Sequence, residues 1–297
     1  MKKELITYED PKSPISEVFK TLRTNLQFMK HKANAISLLV TSTMPGEGKS
    51  WIASNLGVAF AQSNKKTVII DSDMRKGRVH NIFDTKIFPG LSNYLAEEGK
   101  SIKDYLIKTE VDNYLSVLPA GNVPPNPSEL LSSERMIKGL EELKEEFDVI
   151  IFDSTPCMLV TDAIIISRIV DTTIIVSSYK KTKIENLKQV QKNIENVGGK
   201  IAGVVINKIP VSMKQYKSKY YYYGERTKEL PEGRGENIEN KEIELNNIKE
   251  ETKENEIEEN DIKDTKVEIK IEKENEEVEQ NDDIINQIDE YLKGKNK

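Results

Sequence analysis

Six stretches of the chain are apolar almost without a break: 36–40, 67–71, 115–118, 148–153, 172–176 and 201–206. Runs this short and this continuous suit parallel strands covered on both faces. Between them apolar residues fall at helical spacing. Val18, Leu22, Leu26 and Met29 do so over 16–29, and Ile52, Leu56, Ala59 and Phe60 over 51–64. Met136, Leu140, Leu143 and Phe147 repeat the pattern over 135–147, and Ile184, Leu187, Val190, Ile194 and Val197 over 182–197. Shorter helices are expected near 91–97 and over 161–168, and Pro127 suits the first turn of another. Strand alternating with helix predicts an α/β fold: an open, mainly parallel sheet with helices on both faces and right-handed crossovers.

The two ends break the pattern. Residues 1–14 are polar, contain Pro11 and Pro14, and read as an extended lead. Residues 225–297 are rich in Glu, Asn, Lys and Ile, with Tyr291 as their one aromatic residue. Charge divides the same way: residues 1–223 carry a net +6 and residues 224–297 a net −12. Such an acidic tail buries too little apolar surface to offset its ordering entropy, so it is expected to be mostly disordered, with transient helix near 284–292. The organisation expected is a lead (1–14), a main folded domain (15–215), a tyrosine cluster (216–224) and the tail (225–297). Cys157 is the single cysteine, which excludes an intramolecular disulfide and fits a reducing cytoplasm. No run approaches 18 apolar residues and the N-terminus has no apolar leader, so the chain reads as soluble, with any membrane role supplied by a partner.

The chemistry concentrates after the first strand. Val40-Thr-Ser-Thr-Met-Pro-Gly-Glu-Gly-Lys-Ser50 joins that strand to a helix, the context a phosphate-binding loop requires. Gly46 and Gly48 can take backbone angles closed to other residues, which lets N–H groups turn inward around an anion. The helix N-terminus adds unpaired N–H groups and its positive dipole end. Pro45, Gly46, Glu47, Gly48, Lys49, Ser50 and Trp51 are therefore the candidate nucleotide contacts, with Lys49 reaching the β/γ-phosphates and the Ser50 hydroxyl ligating Mg²⁺. The loop departs from the general pattern in having Thr43 where Gly stands six residues before the lysine. Two later strands end in carboxylates, Asp71 and Asp73 after one and Asp153 after the other. Each alone is as readily a turn former. Together, beyond the carboxyl ends of parallel strands, they would converge with Lys49 on one crevice. Asn207, ending a late strand, is either a base-edge contact or a turn residue.

Two surface features remain. Glu17, Lys20 and Arg23 recur every three residues along one side of the first helix, a pattern a solvated face also produces. Tyr216, Tyr220, Tyr221, Tyr222 and Tyr223 lie among lysines and cannot all face one core. They are open to three readings: an aromatic strand for a partner, a stacking platform for nucleic acid, or phenols that accept phosphate.

These motifs together resemble the bacterial tyrosine kinases (BY-kinases), in the form whose catalytic domain is a separate cytoplasmic protein. The likeness runs from about Pro14 to Gly224. Residues 41–50 resemble the family's Walker A loop, 68–75 its Walker A′ motif and 149–156 its Walker B, with Ser154 and Thr155 where Thr-Pro is usual. Residues 119–131 are similar to its Gly-x-x-Pro-Pro-Asn-Pro loop. Glu17, Lys20 and Arg23 match its Glu-x-x-Arg-x-x-Arg oligomerisation motif, with Lys20 in place of the first Arg, which loses the planar fork. Related partition and septum-site ATPases share the loop but carry an earlier lysine where this chain has Ser42, Thr43 and Met44. The resemblance implies a partition-ATPase-like P-loop fold and an ATP- and Mg²⁺-dependent kinase that phosphorylates its own tyrosine cluster in a neighbouring copy. For the proton of the phenol Asp73 is chosen as the base, with Asp71 supporting it and the metal, two roles that the residues alone leave open between them, and Asp153 would hold Mg²⁺ directly or through water. The partners implied are a ring-like homo-oligomer weakened by Lys20, a membrane-anchored activator that regulates polysaccharide chain length, and a phosphotyrosine phosphatase, with no nucleic acid. The place implied is the inner face of the plasma membrane, in control of capsular or exopolysaccharide synthesis and export. A non-kinase ATPase switch is the alternative class. About 74 residues after the cluster lie outside the resemblance.

Overall fold

The computed structural model describes residues 4–29, 35–210 and the backbone of 265–271. Its strands are β1 (Ile36–Ser42), β2 (Thr67–Asp71), β3 (Ile107–Lys108), β4 (Leu115–Leu118), β5 (Val149–Asp153), β6 (Thr172–Ser178), β7 (Ile201–Pro210) and β8 (Thr265–Ile271). They form one sheet in the order β3-β4-β2-β5-β1-β6-β7-β8. The pairs from β4 through β7 are parallel, and β3 adds to β4 antiparallel.

Strand periodicity divides the core. Leu39 of β1, Val68 and Ile70 of β2, and Ile150 and Phe152 of β5 face one layer. Their neighbours Leu38, Val40, Ile69 and Ile151 face the other. Successive side chains point to opposite faces of a strand, so a wholly apolar run is what two covered faces demand. The first layer is closed by α7 (Glu134–Lys144), α8 (Asp162–Ser167) and α9 (Ile184–Asn196), through residues such as Leu140, Ile166 and Val190. The second is closed by α2 (Pro14–Gln27) and α3 (Lys49–Ala61), through Phe19, Leu22, Leu56 and Phe60. The Ser13 hydroxyl caps α2 by accepting from the Ser16 N–H at 3.2 Å, with Pro14 at the first position. Helix α3 is buried nearly all round, because α1 (Ile6–Glu9) and α2 cover the side away from the sheet.

The expected lead is thus corrected: residues 6–9 are helical, and Leu5 and Thr7 are buried. Thr7 donates its N–H at 3.1 Å and its hydroxyl at 3.0 Å to Asn55 Oδ1, and the Asn55 amide donates to the Glu4 carbonyl at 2.9 Å. A four-residue helix has no period to read, and the buried Asn55 finds its partners only in three dimensions. The loop after β2 also contains a short helix, α4 (Val79–Phe83). Two more, α5 (Leu91–Ala96) and α6 (Pro127–Leu131), stand where short helices were expected.

Most of the acidic tail lies outside the described residues. Thr265–Ile271 forms β8, at the edge beside β7, where no strand was expected. Its sequence alternates polar and apolar, Lys266-Val-Glu-Ile-Lys-Ile271, which is strand period rather than low-complexity coil.

Candidate functional site

The loop between β1 and α3 is shaped by two glycines. Gly46 has φ 77° and Gly48 φ 103°, both in the left-handed region. A Cβ on Gly48 would stand 2.1 Å from the Asn207 amide nitrogen, so glycine is required there twice over. Helix α3 begins at Lys49, which aims its first N–H groups at the loop.

Parallel strands bring the other candidates to the same end. In the β2–β5 register Asp71 pairs with Asp153. Lys49 Nζ lies 3.3 Å from Asp73 Oδ2, 3.8 Å from Asp153 Oδ1 and 3.4 Å from the Ser50 hydroxyl. Burial works against the charge on Lys49, but Asp153, Asp73 and Asp71 outweigh it and raise its pKa.

The three carboxylates are held differently. Asp71 is fully buried and accepts from the Val79 N–H at 3.0 Å and the Asp73 N–H at 3.3 Å. Burial, reinforced by the charge of Asp153, pushes its pKa well above the carboxylate range. Asp73 is anchored through Oδ1 by the N–H groups of Lys76 (2.9 Å) and Arg75 (3.3 Å), which leaves Oδ2 for Lys49. Asp153 is fully buried, and neither of its oxygens has a hydrogen-bond partner. Burial raises its pKa, partly offset by Lys49 and the nearby Ser50 hydroxyl. A buried carboxylate without donors, beside a hydroxyl and a phosphate loop, fits one corner of a Mg²⁺ site. Among the described residues no three His, Cys, Asp or Glu side chains could hold a metal by themselves. That suits an ion whose remaining ligands are waters and phosphate oxygens.

Other residues frame the crevice. Arg75 forks onto Asp162 at the start of α8, Nε to Oδ2 at 3.0 Å and Nη2 to Oδ1 at 3.3 Å. Ser128, in the first turn of α6, donates to the same Asp162 Oδ1 at 2.6 Å. The basic loop, the proline-rich loop and α8 are thereby joined. Nothing at the sequence level pairs Arg75 with Asp162, 87 residues away. Cys157 is buried, forms a hydrogen bond with the Thr41 hydroxyl at 3.3 Å, and has its thiol pushed by burial to a pKa of about 11, which suits packing and not attack.

Some candidates sit elsewhere than expected. Asn207 is buried behind the loop, with its amide donating to the Glu47 carbonyl at 2.9 Å and its oxygen accepting from the Lys208 N–H at 2.8 Å. Trp51 packs edge-to-face on Phe19, ring centres 5.3 Å apart. On α2, Lys20 bonds Glu17 at 2.7 Å and the Pro11 carbonyl at 2.9 Å. Arg23 turns inward and donates to the Ala59 carbonyl at 2.8 Å. Tyr216 and Tyr220 to Tyr223 lie outside the described residues.

Fold and loop together define a P-loop nucleotide-binding protein. The AAA domain family matches residues 37–205. Tyrosine-protein kinase YwqD of Bacillus subtilis is 37% identical over 224 residues, 75% of this chain and 92% of that protein. Among solved structures, the chimerical protein CapA2B2 is 39% identical with a TM-score of 0.66, covering 70% of this chain and 91% of that one. The kinase domain of Escherichia coli tyrosine kinase ETK is 30% identical with a TM-score of 0.65, covering 70% and 82%. The chain belongs to the bacterial tyrosine-kinase family.

Proposed function

We propose that this protein is an ATP-dependent protein-tyrosine kinase whose acceptors are Tyr216, Tyr220, Tyr221, Tyr222 and Tyr223 of a second copy. The observation that carries the reading is the position of Lys49, its Nζ between Asp73 and Asp153 at the mouth of the phosphate loop. When ATP enters, Lys49 moves its charge to the β/γ-phosphate oxygens and releases Asp73 Oδ2. The phenol oxygen attacks the γ-phosphorus, the bond to the β–γ bridging oxygen breaks, and ADP leaves. A phenol is almost wholly protonated at neutral pH, and Asp73 takes its proton. Backbone N–H groups fix Asp73 on one side only, which leaves the other oxygen for that task. Asp71, engaged by two backbone donors, holds the turn that carries Asp73. Ser50 and Asp153 would hold Mg²⁺, which neutralises charge on the phosphates. Positioning and charge supply most of the rate in this chemistry.

Phosphate on a tyrosine adds nearly two negative charges, so a modified cluster repels itself and leaves the cleft. Glu17, Lys20 and Arg23 would contribute to the contact between copies. Arg23 would first have to leave the Ala59 carbonyl. By the family resemblance, the kinase works in the cytoplasm at the inner face of the plasma membrane through a membrane-anchored activator, is reversed by a phosphotyrosine phosphatase, and regulates capsular or exopolysaccharide synthesis and export. Among the described residues no helix is long and apolar enough to cross a membrane. The ATPase-switch alternative is weaker, because relatives at 37–40% identity are named tyrosine-protein kinases.

The test is mass spectrometry of purified protein incubated with Mg·ATP, with and without a candidate activator segment, beside Lys49→Met. Phosphate on the cluster that disappears in the variant is expected. ATP turnover with unmodified tyrosines, activator present, would overturn the kinase reading.

A further inference from the structure

Glu47 stands between the two glycines of the loop, yet its carboxylate turns back beneath the loop and is 5% exposed. It accepts from the Thr43 hydroxyl at 3.0 Å and from the Met44 N–H at 2.9 Å. It also accepts from the Thr182 hydroxyl, which itself accepts from the Ser178 N–H at 2.7 Å. Thr182 belongs to the turn between β6 and α9. A buried carboxylate with this many donors is a strong tie, since charge-assisted bonds exceed neutral ones.

The next two ties act on the backbone. The Gly46 carbonyl accepts from Lys208 Nζ at 2.5 Å, and the Glu47 carbonyl accepts from the Asn207 amide at 2.9 Å. Lys208 reaches across from a left-handed backbone, φ 61°, near the end of β7. In a planar trans peptide the carbonyl and the following N–H point in opposite directions. Pinning the carbonyls of Gly46 and Glu47 toward β7 therefore turns the N–H groups of Glu47 and Gly48 the other way, into the loop.

We propose that Glu47, Thr182, Asn207 and Lys208 are positioning residues that preset the phosphate loop before nucleotide arrives, an inference that rests on the nucleotide-binding part of the reading above. They act through the loop's N–H groups and not by touching the phosphates. The role of Asn207 at this stage is to orient a peptide. Without these ties the loop must be ordered at each binding event, so affinity for nucleotide falls while the chemical step is spared.

Trp51, the sole tryptophan, directly follows the loop and reports on it by fluorescence. Wild type, Thr182→Val, Thr182→Ser and Lys208→Met would be titrated with Mg·ADP and assayed for ATP KM and kcat, with melting temperature measured alongside. Thr182→Val and Lys208→Met should weaken Mg·ADP and raise KM for ATP about tenfold, with kcat changed much less. Thr182→Ser, which keeps the hydroxyl, should recover affinity. Lys208 is exposed, so its variant carries the test if Thr182→Val fails to fold. Unchanged Mg·ADP affinity in Lys208→Met, or in a folded Thr182→Val, would overturn the inference. So would loss of affinity in Thr182→Ser equal to that in the valine variant. No Mg·ADP binding by wild type would instead overturn the nucleotide reading itself.

Discussion

Asp71 and Asp153 face each other in register at the carboxyl ends of adjacent parallel strands, both fully buried, and the single ammonium of Lys49 serves them together with Asp73. Three carboxylates gathered around the Lys49 amine are a poor balance for a folded core and a good one for a site that binds a cation. The cost falls on Asp153, whose oxygens accept no backbone N–H.

Asp153→Asn should therefore stabilise the nucleotide-free protein while abolishing phosphoryl transfer. A gain of about 1–2 kcal/mol is of the size seen when a strained functional group is removed, or roughly 3–6 °C in Tm for a domain of this size. Differential scanning calorimetry without nucleotide, beside a phosphotyrosine assay, measures both. A lower Tm would show that Asp153 is a structural partner of Lys49.

The same pair sets a pH dependence. Burial raises both Asp71 and Asp153 above the usual carboxylate value. A carboxyl with a raised folded pKa binds its proton more tightly when folded, so its contribution is complete below the ordinary value near 3.8 and is lost as pH rises through the folded value. Nucleotide-free protein should lose this contribution across that window, and the loss should shrink in Asp153→Asn. Urea denaturation across a pH series gives the slope directly.

Lys49→Met should do more than silence the enzyme. It strips the buried carboxylates of the ammonium that lies 3.3 Å from Asp73 and 3.8 Å from Asp153, and breaking such a group costs on the order of 3 kcal/mol. In Lys49→Met/Asp153→Asn much of that loss should return, giving a coupling energy between the two positions. Additive single effects would mean that they do not interact.

Gly48→Ala should lose nucleotide binding. Its Cβ would collide with the Asn207 amide at 2.1 Å, and φ 103° is strained for any side chain. A destabilisation of about 1–3 kcal/mol accompanies such strain. Calorimetric titration with Mg·ADP and a melting curve check both effects.

Cys157 should resist alkylation. With its thiol held to about pKa 11 and buried, native protein at pH 8 should stay unmodified by iodoacetamide under conditions that label urea-unfolded chain completely. Rapid labelling of native protein would mean that the segment after β5 opens.

Much of this architecture was legible beforehand because burial on two faces leaves a signature that needs no partner to be read. A strand such as Val149–Asp153 must be apolar throughout, and helices such as Glu134–Lys144 must carry one apolar stripe. The phosphate loop was legible for a similar reason, since its glycines, lysine and serine are adjacent in the chain. Helix α1 and strand β8 were not expected: the first is too short to show a period, and the second is set in a charged surrounding that argues for coil.

The sequence by itself determined the layered α/β fold, the loop, and the carboxylates at the ends of β2 and β5, since each depends on local spacing. Only the tertiary structure decided that Asp71 accepts two backbone N–H groups while the oxygens of Asp153 accept none. It also decided that Arg23 turns inward and that Asn207 and Lys208 grip loop carbonyls, 160 and 162 positions away along the chain. Such contacts have no period and no fixed spacing. They exist because the parallel sheet brings the carboxyl ends of β1, β2, β5, β6 and β7 to one edge, and only there does each polar group find, or lack, its partner.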